Sequence, residues 1–242
     1  MKVCPNVYAV TGLEHPIGVN AGIIETDNCM IIIDSSLTCS SAKTIMGYAK
    51  AIAPKKPISV LINTETHSDH IFGNNIFKKA GAKIYSPKLS KMHLEKKGTK
   101  YLEDMMKILK KPKVYFGAVK IVAPDVTIDG NTTLFFGGLK IKLIWTPGHT
   151  ATNLCILLPK YKVLFTGDTV YSGYKPTTKF GNPLLWKKWV KAINSISHLN
   201  IKYLIPGHGP ILIGSQIKKE LKRNKKFILD ALNNKSNYNR QP

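Results

Sequence analysis

Apolar and polar positions change period several times along the chain, and each change marks an element. Residues 6–11 alternate with period two and predict a strand. Residues 22–24 and 29–34 predict two more around the turn Thr26-Asp27-Asn28. Apolar spacings of three and four predict a helix over 39–53, stopped by Pro54. Residues 58–63 read as a short buried strand, and 71–80 as a helix closed by Gly81. A lysine-rich amphipathic helix is predicted over 90–111, with Leu94, Tyr101, Leu102, Met105 and Leu109 on one side and an interruption at Gly98. Strand-like runs return at 119–122, 132–136, 139–145, 153–158 and 162–165, separated by Gly, Pro and Asn turns. Residues 184–197 predict a helix with Trp186 and Trp189 on one side, packed on a sheet. Residues 203–205 predict a last buried strand. Residues 215–232 predict a terminal helix with Ile217, Leu221, Ile228 and Leu232 on one face.

Strands, helices, strands and helices follow one another, and the two halves look alike. This order predicts an α/β (α+β) fold: two mixed sheets face to face with helices outside, a four-layer αβ/βα sandwich. One domain is expected over 1–232, followed by a polar, disordered tail at 233–242. A 43% hydrophobic and 21% charged composition excludes a disordered chain and a membrane-embedded one. Apolar runs such as 29–33 are too short to span a bilayer. The first residues lack the apolar stretch and small-residue cleavage site of a leader, so a mature, cytoplasmic chain with no membrane partner is expected.

Charge changes the list of partners. Lysine and arginine number 36 against 14 acidic residues, a net charge of +22, and only Arg223 and Arg240 are arginines. Such a field draws anions and nucleic acid, though a lysine-rich host would give the same number. Scarce arginine argues against a dedicated base reader, because arginine supplies bidentate base contacts. The four cysteines form no CxxC pair, and a chain this long needs no disulfide framework. Cys29 and Cys155 sit in apolar runs and read as core.

Four segments each close a predicted strand and then offer metal-binding side chains. They are Asn63-Thr64-Glu65-Thr66-His67-Ser68-Asp69-His70, Thr146-Pro147-Gly148-His149-Thr150, Thr166-Gly167-Asp168-Thr169 and Pro206-Gly207-His208-Gly209-Pro210. Four of the seven histidines fall in them, and strand-end loops are where rigid scaffolds display reactive groups. Other readings exist for each alone: Asp69 as a helix cap, Asp168 as a turn residue, the two Pro-Gly-His steps as turns, Glu65 as an exposed loop carboxylate. A cap does not explain the His67/His70 pair. His15, His93 and His198 read as solvated or locally bonded.

The spacing resembles that of the metallo-β-lactamase superfamily, whose second motif reads H-x-H-x-D-H. His67, Asp69 and His70 match it, His149, Asp168 and His208 match the later single-ligand motifs, and Gly18 to Gly22 and Ile33-Asp34 resemble its first strands. The resemblance runs from about Val7 to Ile213. It implies one metal site from Glu65, His67 and His149 and another from Asp69, His70 and His208, bridged by Asp168. Two zinc ions are the implied cofactor, with Asp69 orienting a shared hydroxide and passing on its proton, and with residues 11–18 as a flap or an ordinary hairpin connection. Glu65 stands where the commonest motif has histidine. Three carboxylates and a hydroxide then balance two divalent ions, whereas histidine would leave one net positive charge. A neutral site is a weaker Lewis acid and favours harder ions such as manganese or iron. Lys175 and Lys179 either bind a substrate anion or are solvated loop charges.

The resemblance implies a hydrolase. A β-lactam, an ester or a thioester is the expected small-molecule substrate. A phosphodiesterase or ribonuclease using the basic surface, and a non-catalytic nucleic-acid-binding relative, are the alternatives. The sequence leaves the oligomeric state open.

Overall fold

The protein is described by a computed structural model covering residues 1–16 and 18–238. In the first half run β1 (Lys2–Cys4), β2 (Val7–Leu13), β3 (Val19–Glu25), β4 (Met30–Ile33), α1 (Cys39–Ile52), β5 (Ile58–Ile62), α2 (Ser68–Ile71), α3 (Asn74–Lys79), β6 (Lys83–Pro87), α4 (Lys88–Lys97), α5 (Lys100–Leu109), α6 (Lys113–Phe116) and β7 (Val126–Ile128). In the second run β8 (Thr132–Phe136), β9 (Leu139–Trp145), β10 (Leu154–Leu158), β11 (Val163–Tyr171), α7 (Pro183–Ser197), β12 (Tyr203–His208), β13 (Leu212–Ile213) and α8 (Ser215–Tyr238).

The first sheet is ordered β7-β6-β5-β4-β3, with β2 and then β1 continuing beyond β3. The second is ordered β12-β11-β10-β9-β8, with β13 on β12. They are hydrogen-bonded to each other at one register pair, His208 with Val19, so the strands form one continuous mixed sheet folded at that seam. β4 to β7 and β11/β12 pair in parallel, and the remaining pairs are antiparallel.

Alternation along the strands sorts the side chains into layers. Ile31, Ile33, Val60 and Ile62 of the first sheet meet Ile141, Leu143, Ile156, Phe165 and Ile205 of the second in a central buried cluster. The alternate positions Met30, Ile32, Leu61 and Ile84 take the opposite face, under Ala42 and Ile45 of α1 and Phe77 of α3. Leu157, Leu164 and Leu204 likewise face outward under Trp186, Trp189 and Ile193 of α7 and Ile217, Leu221 and Ile228 of α8. This is the expected four-layer arrangement. Each fully buried Ile, Leu or Val contributes about 1.5–3 kcal/mol relative to exposure. Gly22 lets the layers meet: a Cβ there would stand 2.4 Å from the Phe165 ring across the core.

Helix starts follow local chemistry. Thr38 caps α1 by accepting from the Ser41 N–H, and Asn182 caps α7 by accepting from the Leu185 N–H, with Pro183 in the first turn.

Several boundaries differ from expectation for stated reasons. The helix expected over 71–80 is two short helices, α2 and α3. The chain bends at Gly73, whose N–H bonds the Ser36 carbonyl, and a Cβ there would lie 2.1 Å from the Ser35 carbonyl oxygen. Residues 119–122 are not a strand; Val119 packs beneath α5 and α6, and the strand is β7. β6 carries little sequence signal, since only Ile84 among its first residues is a buried apolar side chain. The amphipathic stretch over 90–111 divides at Gly98, as its glycine suggests, into α4 and α5. α8 continues through residues 233–238 of the expected tail, and residues 239–242 lie outside the described residues. Among the described residues no helix is long and apolar enough to cross a membrane.

Candidate metal centre

The four segments converge at one end of the two sheets. The first leaves β5 and enters α2. Its path is fixed by the His70 carbonyl, which accepts from the Ser35 N–H (2.8 Å) and the Ser35 hydroxyl (3.2 Å). Asn63 and Asn74 bond each other through both amides (2.9 and 3.1 Å). His67 is the N-cap residue of α2, and Asp69 lies inside that helix, so Asp69 is not its cap.

The two Pro-Gly-His steps need glycine for closeness. A Cβ at Gly207 would lie 2.0 Å from Asp168 Oδ1, and one at Gly148 would lie 2.4 Å from Trp189 Cβ. Asp168 stands within β11 and His208 ends β12, parallel neighbours, which is why the two side chains meet. Both strands run further than their apolar runs suggest, because β11 stays buried through Thr166-Gly167-Asp168.

Two groups of candidate ligands result: Glu65, His67, His149 and Asp168, and Asp69, His70 and His208. Within each group the ligand atoms lie within 4.8 Å of one another. His67 Nδ1 is 2.8 Å from Glu65 Oε2 and 3.1 Å from His149 Nε2. His208 Nε2 is 3.4 Å from Asp69 Oδ2. Asp168 joins the groups. Its Oδ1 is 3.2 Å from both His70 Nε2 and His208 Nε2, and its Oδ2 is 3.5 Å from His149 Nε2.

A metal ion fits these residues on structural grounds. Glu65 Oε2, His70 Nε2 and Asp168 Oδ1 are buried with no well-aligned hydrogen bond, facing only the ionisable groups around them at 2.8–3.2 Å, and all three are candidate ligand atoms. Orphaned buried polar atoms are costly unless something satisfies them. Imidazole nitrogens with carboxylate oxygens suit zinc, manganese and iron.

Glu65 turns into the site: it is fully buried. Asn153 donates to its Oε1 at 3.0 Å. Asn153 Oδ1 in turn accepts the Thr150 N–H at 2.6 Å, which fixes which end of the amide faces Glu65. Oε2 is thereby left pointing at the histidines.

A second layer holds the ligands. Asp34 Oδ2 accepts from His70 Nδ1 at 2.9 Å, leaving Nε2 to face the centre. Asp34 also accepts from the Thr64 N–H (2.8 Å) and hydroxyl (2.7 Å). It sits in left-handed backbone at φ 59°, held there by its N–H bond to the Ile62 carbonyl. His149 Nδ1 bonds the Thr177 carbonyl at 3.0 Å, which turns its Nε2 inward. The Tyr171 hydroxyl donates to Asp168 Oδ2 at 2.5 Å, and its ring stacks on His208.

Electrostatics follow from this crowding. Burial alone would lower His70 and His208, but the carboxylates facing them outweigh it and hold both well above the usual histidine range. Burial likewise works against ionising Asp168, and the facing His208 and His70 reverse it, holding it well below the usual carboxylate range. Asp69 is brought to about 2, burial being overcome chiefly by His70 and His208.

The profile of the metallo-beta-lactamase superfamily matches residues 16–208. The chain belongs to this superfamily. The metallo-hydrolase centre of that family is therefore what the His/Asp groups form. Over 166 residues, 66% of this chain, it is 28% identical to the hydroxyacylglutathione hydrolase of Brucella ovis (strain ATCC 25840 / 63/290 / NCTC 10512). That match takes in 54% of the relative, so the chain spans about half the length of the curated relatives it matches. Among solved structures, a metallo-beta-lactamase from Pontibacter korlensis superposes with a TM-score of 0.71 at 21% identity, covering 95% of this chain and 97% of that one. A stereoselective inverting sec-alkylsulfatase from Pseudomonas sp. gives 0.79 at 20% identity, covering 98% of this chain and 42% of the other. These likenesses show a shared fold.

The ligand groups open into a cavity of about 950 Å³. Lys175 lines it, whereas Lys179 is exposed and does not. No described residue of the 11–18 segment lines it either. Glu14 instead ties that segment down, accepting from Thr38, Ser41 and Tyr115. His93, read from the sequence as lying outside any site, stands in the cavity wall. Sequence reasoning does not single out Asn153, Tyr171 or Phe180. Tyr171 lies in the same strand as Asp168 three residues on, which is the one signal that could have raised it.

Proposed function

We propose that the protein hydrolyses an ester, a thioester or a cyclic amide with two zinc ions held by the two ligand groups. The observation that carries this reading is Asp168, whose two oxygens face the two groups separately at 3.2–3.5 Å. When bound, the ions would acidify a water to near neutrality and polarise the substrate carbonyl, as in dinuclear hydrolases.

The chain's own residues supply the rest. Asp69 is ionised at neutral pH and reaches the edge of the cavity, where it can accept a proton and deliver it to a leaving group. Phe180 lies against the His67 and His149 rings (centroids 4.6 and 5.9 Å) and shields that side from water. Tyr171 and Asp34 keep Asp168 and His70 in place.

The test is a zinc-loaded protein assayed against a thioester, an aryl ester, a β-lactam and an aryl phosphodiester, with metal counted by elemental analysis. Two zinc per chain with turnover of a carbonyl substrate supports the reading. Two zinc with turnover of the phosphodiester alone replaces it with the phosphodiesterase alternative. A nuclease would also lose affinity steeply with salt.

Two further outcomes are expected. Metal uptake at pH 7 releases protons, because His70 and His208 are held above the usual range in the metal-free chain and must shed a proton to ligate. Apparent zinc affinity therefore rises with pH between about 6 and 8, by about tenfold per unit for each proton displaced. Chelator competition at three pH values checks this. Glu65→His exchanges a negative ligand for a neutral one, so the ratio of zinc- to manganese-supported activity is expected to rise about tenfold. An unchanged ratio would remove Glu65 as the source of metal preference.

A further inference from the structure

The walls of the cavity are chemically uneven. Metal-ligand candidates form its floor, while α5 lines one side mainly with the apolar Tyr101, Met105, Ile108 and Leu109, with Asp104 and Lys107 between them. The four apolar residues stand at i, i+4, i+7 and i+8, the pattern of one broad helix stripe. Phe180, from the loop before α7, and Leu185, from its first turn, face the cavity too. Ile108 and Phe180 stay 64% and 56% exposed, a large apolar surface left open beside a reactive centre.

This track has a direction and a length. It starts beside the metal ligands, where the Tyr101 hydroxyl donates to the Thr66 carbonyl at 2.9 Å, next to His67. It ends at Leu109, eight residues on, which is about 12 Å at roughly 1.5 Å per helical residue. An extended backbone covers about 3.3–3.6 Å in three bonds, so about 12 Å takes about ten bonds of an extended chain. Methionine suits such a wall because its unbranched side chain adapts to a flexible occupant.

We propose that the substrate carries an unbranched apolar acyl chain, which lies along α5 with its carbonyl at the ligand groups. The proposal rests on the hydrolase reading of the site and names its substrate class. The chain enters past Ile108 and Phe180 and covers both. A compact, polar substrate such as a small hydroxyacid derivative would leave this wall wet.

The test separates binding from reaction. Straight-chain carboxylates of four to twelve carbons are titrated into the zinc-loaded protein by calorimetry. Aryl thioesters of the same chain lengths are assayed for turnover. Affinity is expected to rise about two- to fourfold per added methylene up to roughly ten carbons, then level off. Ile108→Lys, in the wall the chain would cover, is expected to flatten that rise, read as a lower ratio of ten- to four-carbon affinity. Chain-length dependence in binding without turnover of any thioester keeps the acyl-chain site along α5 and removes thioester hydrolysis from the reading of the ligand groups. Turnover with no dependence on chain length, in either assay, overturns this inference and keeps the hydrolase. Affinity independent of length together with no turnover overturns both.

Discussion

Asp168→Asn is expected to give a folded chain that retains at most one metal ion, with turnover lowered by about a thousandfold. Asp168 is the carboxylate placed within 3.5 Å of histidines from both ligand groups, with His70 and His208 at one oxygen and His149 at the other. An amide has the same shape and no charge. Four histidines would then converge on a space whose remaining anions are Glu65 and Asp69, each already engaged within its own group. Removing one partner from a buried ionic cluster typically costs about 3–5 kcal/mol, which is roughly 10²–10⁴ in an equilibrium constant. The amide nitrogen would also confront either the Tyr171 hydroxyl or the His208 ring as a second donor. Elemental analysis after dialysis, thermal melting and turnover together check the claim. Two retained metals with activity within tenfold of the native protein would show that Asp168 does not bridge.

Much of this centre is legible in the sequence because its ligands are unusual residue types at strand ends. His67, Asp69 and His70 could be explained otherwise one at a time, yet three such groups in four residues leave little room for a cap or a turn. The later single ligands gain force from their order along the chain. The layers are legible for a similar reason: Leu139, Ile141 and Leu143 alternate with Lys140 and Lys142 and advertise one buried face, and the unbroken apolar run at 30–33 advertises a strand covered on both.

What could not be read is set by partners remote in the chain. Asn153 orients Glu65 from 88 residues away, and Thr177 orients His149 through a backbone carbonyl, a group every residue has. The split between α2 and α3 depends on the carbonyls of Ser35 and Ser36, which no local pattern in 71–80 reports. The continuation of β11 through Thr-Gly-Asp is a burial effect, in which tertiary packing overrides the turn chemistry those residues carry elsewhere. The role of α5 lies between the two cases. Its amphipathic pattern is plain, with Tyr101, Leu102, Met105 and Leu109 on one side. Only the fold shows that part of that side faces a cavity rather than a core.

Asp34 is the clearest residue whose weight comes from position alone, and its replacement by asparagine has no neutral outcome. Asp34 accepts three hydrogen bonds: two from Thr64, through the N–H and the hydroxyl, and one from His70 Nδ1. Asparagine can accept at only one of its two ends. If its oxygen keeps the Thr64 N–H, its amino group faces His70 Nδ1, which must then be the acceptor. The proton moves to Nε2, the atom that faces Asp168 at 3.2 Å, and His70 can no longer ligate through it. Losing such an outer partner typically lowers metal affinity roughly 10–100-fold. If the amide turns over, His70 keeps its tautomer, but the Thr64 N–H loses its acceptor in a buried place at a cost of about 1–3 kcal/mol. Zinc affinity and the melting temperature of the metal-free protein therefore read the two orientations separately. A roughly 10–100-fold weaker zinc affinity with unchanged melting marks the first, and a lower melting temperature with native affinity marks the second. Neither change would mean that Asp34 only fills the bend after β4, and that His70 takes its orientation from Asp168 and the ions themselves.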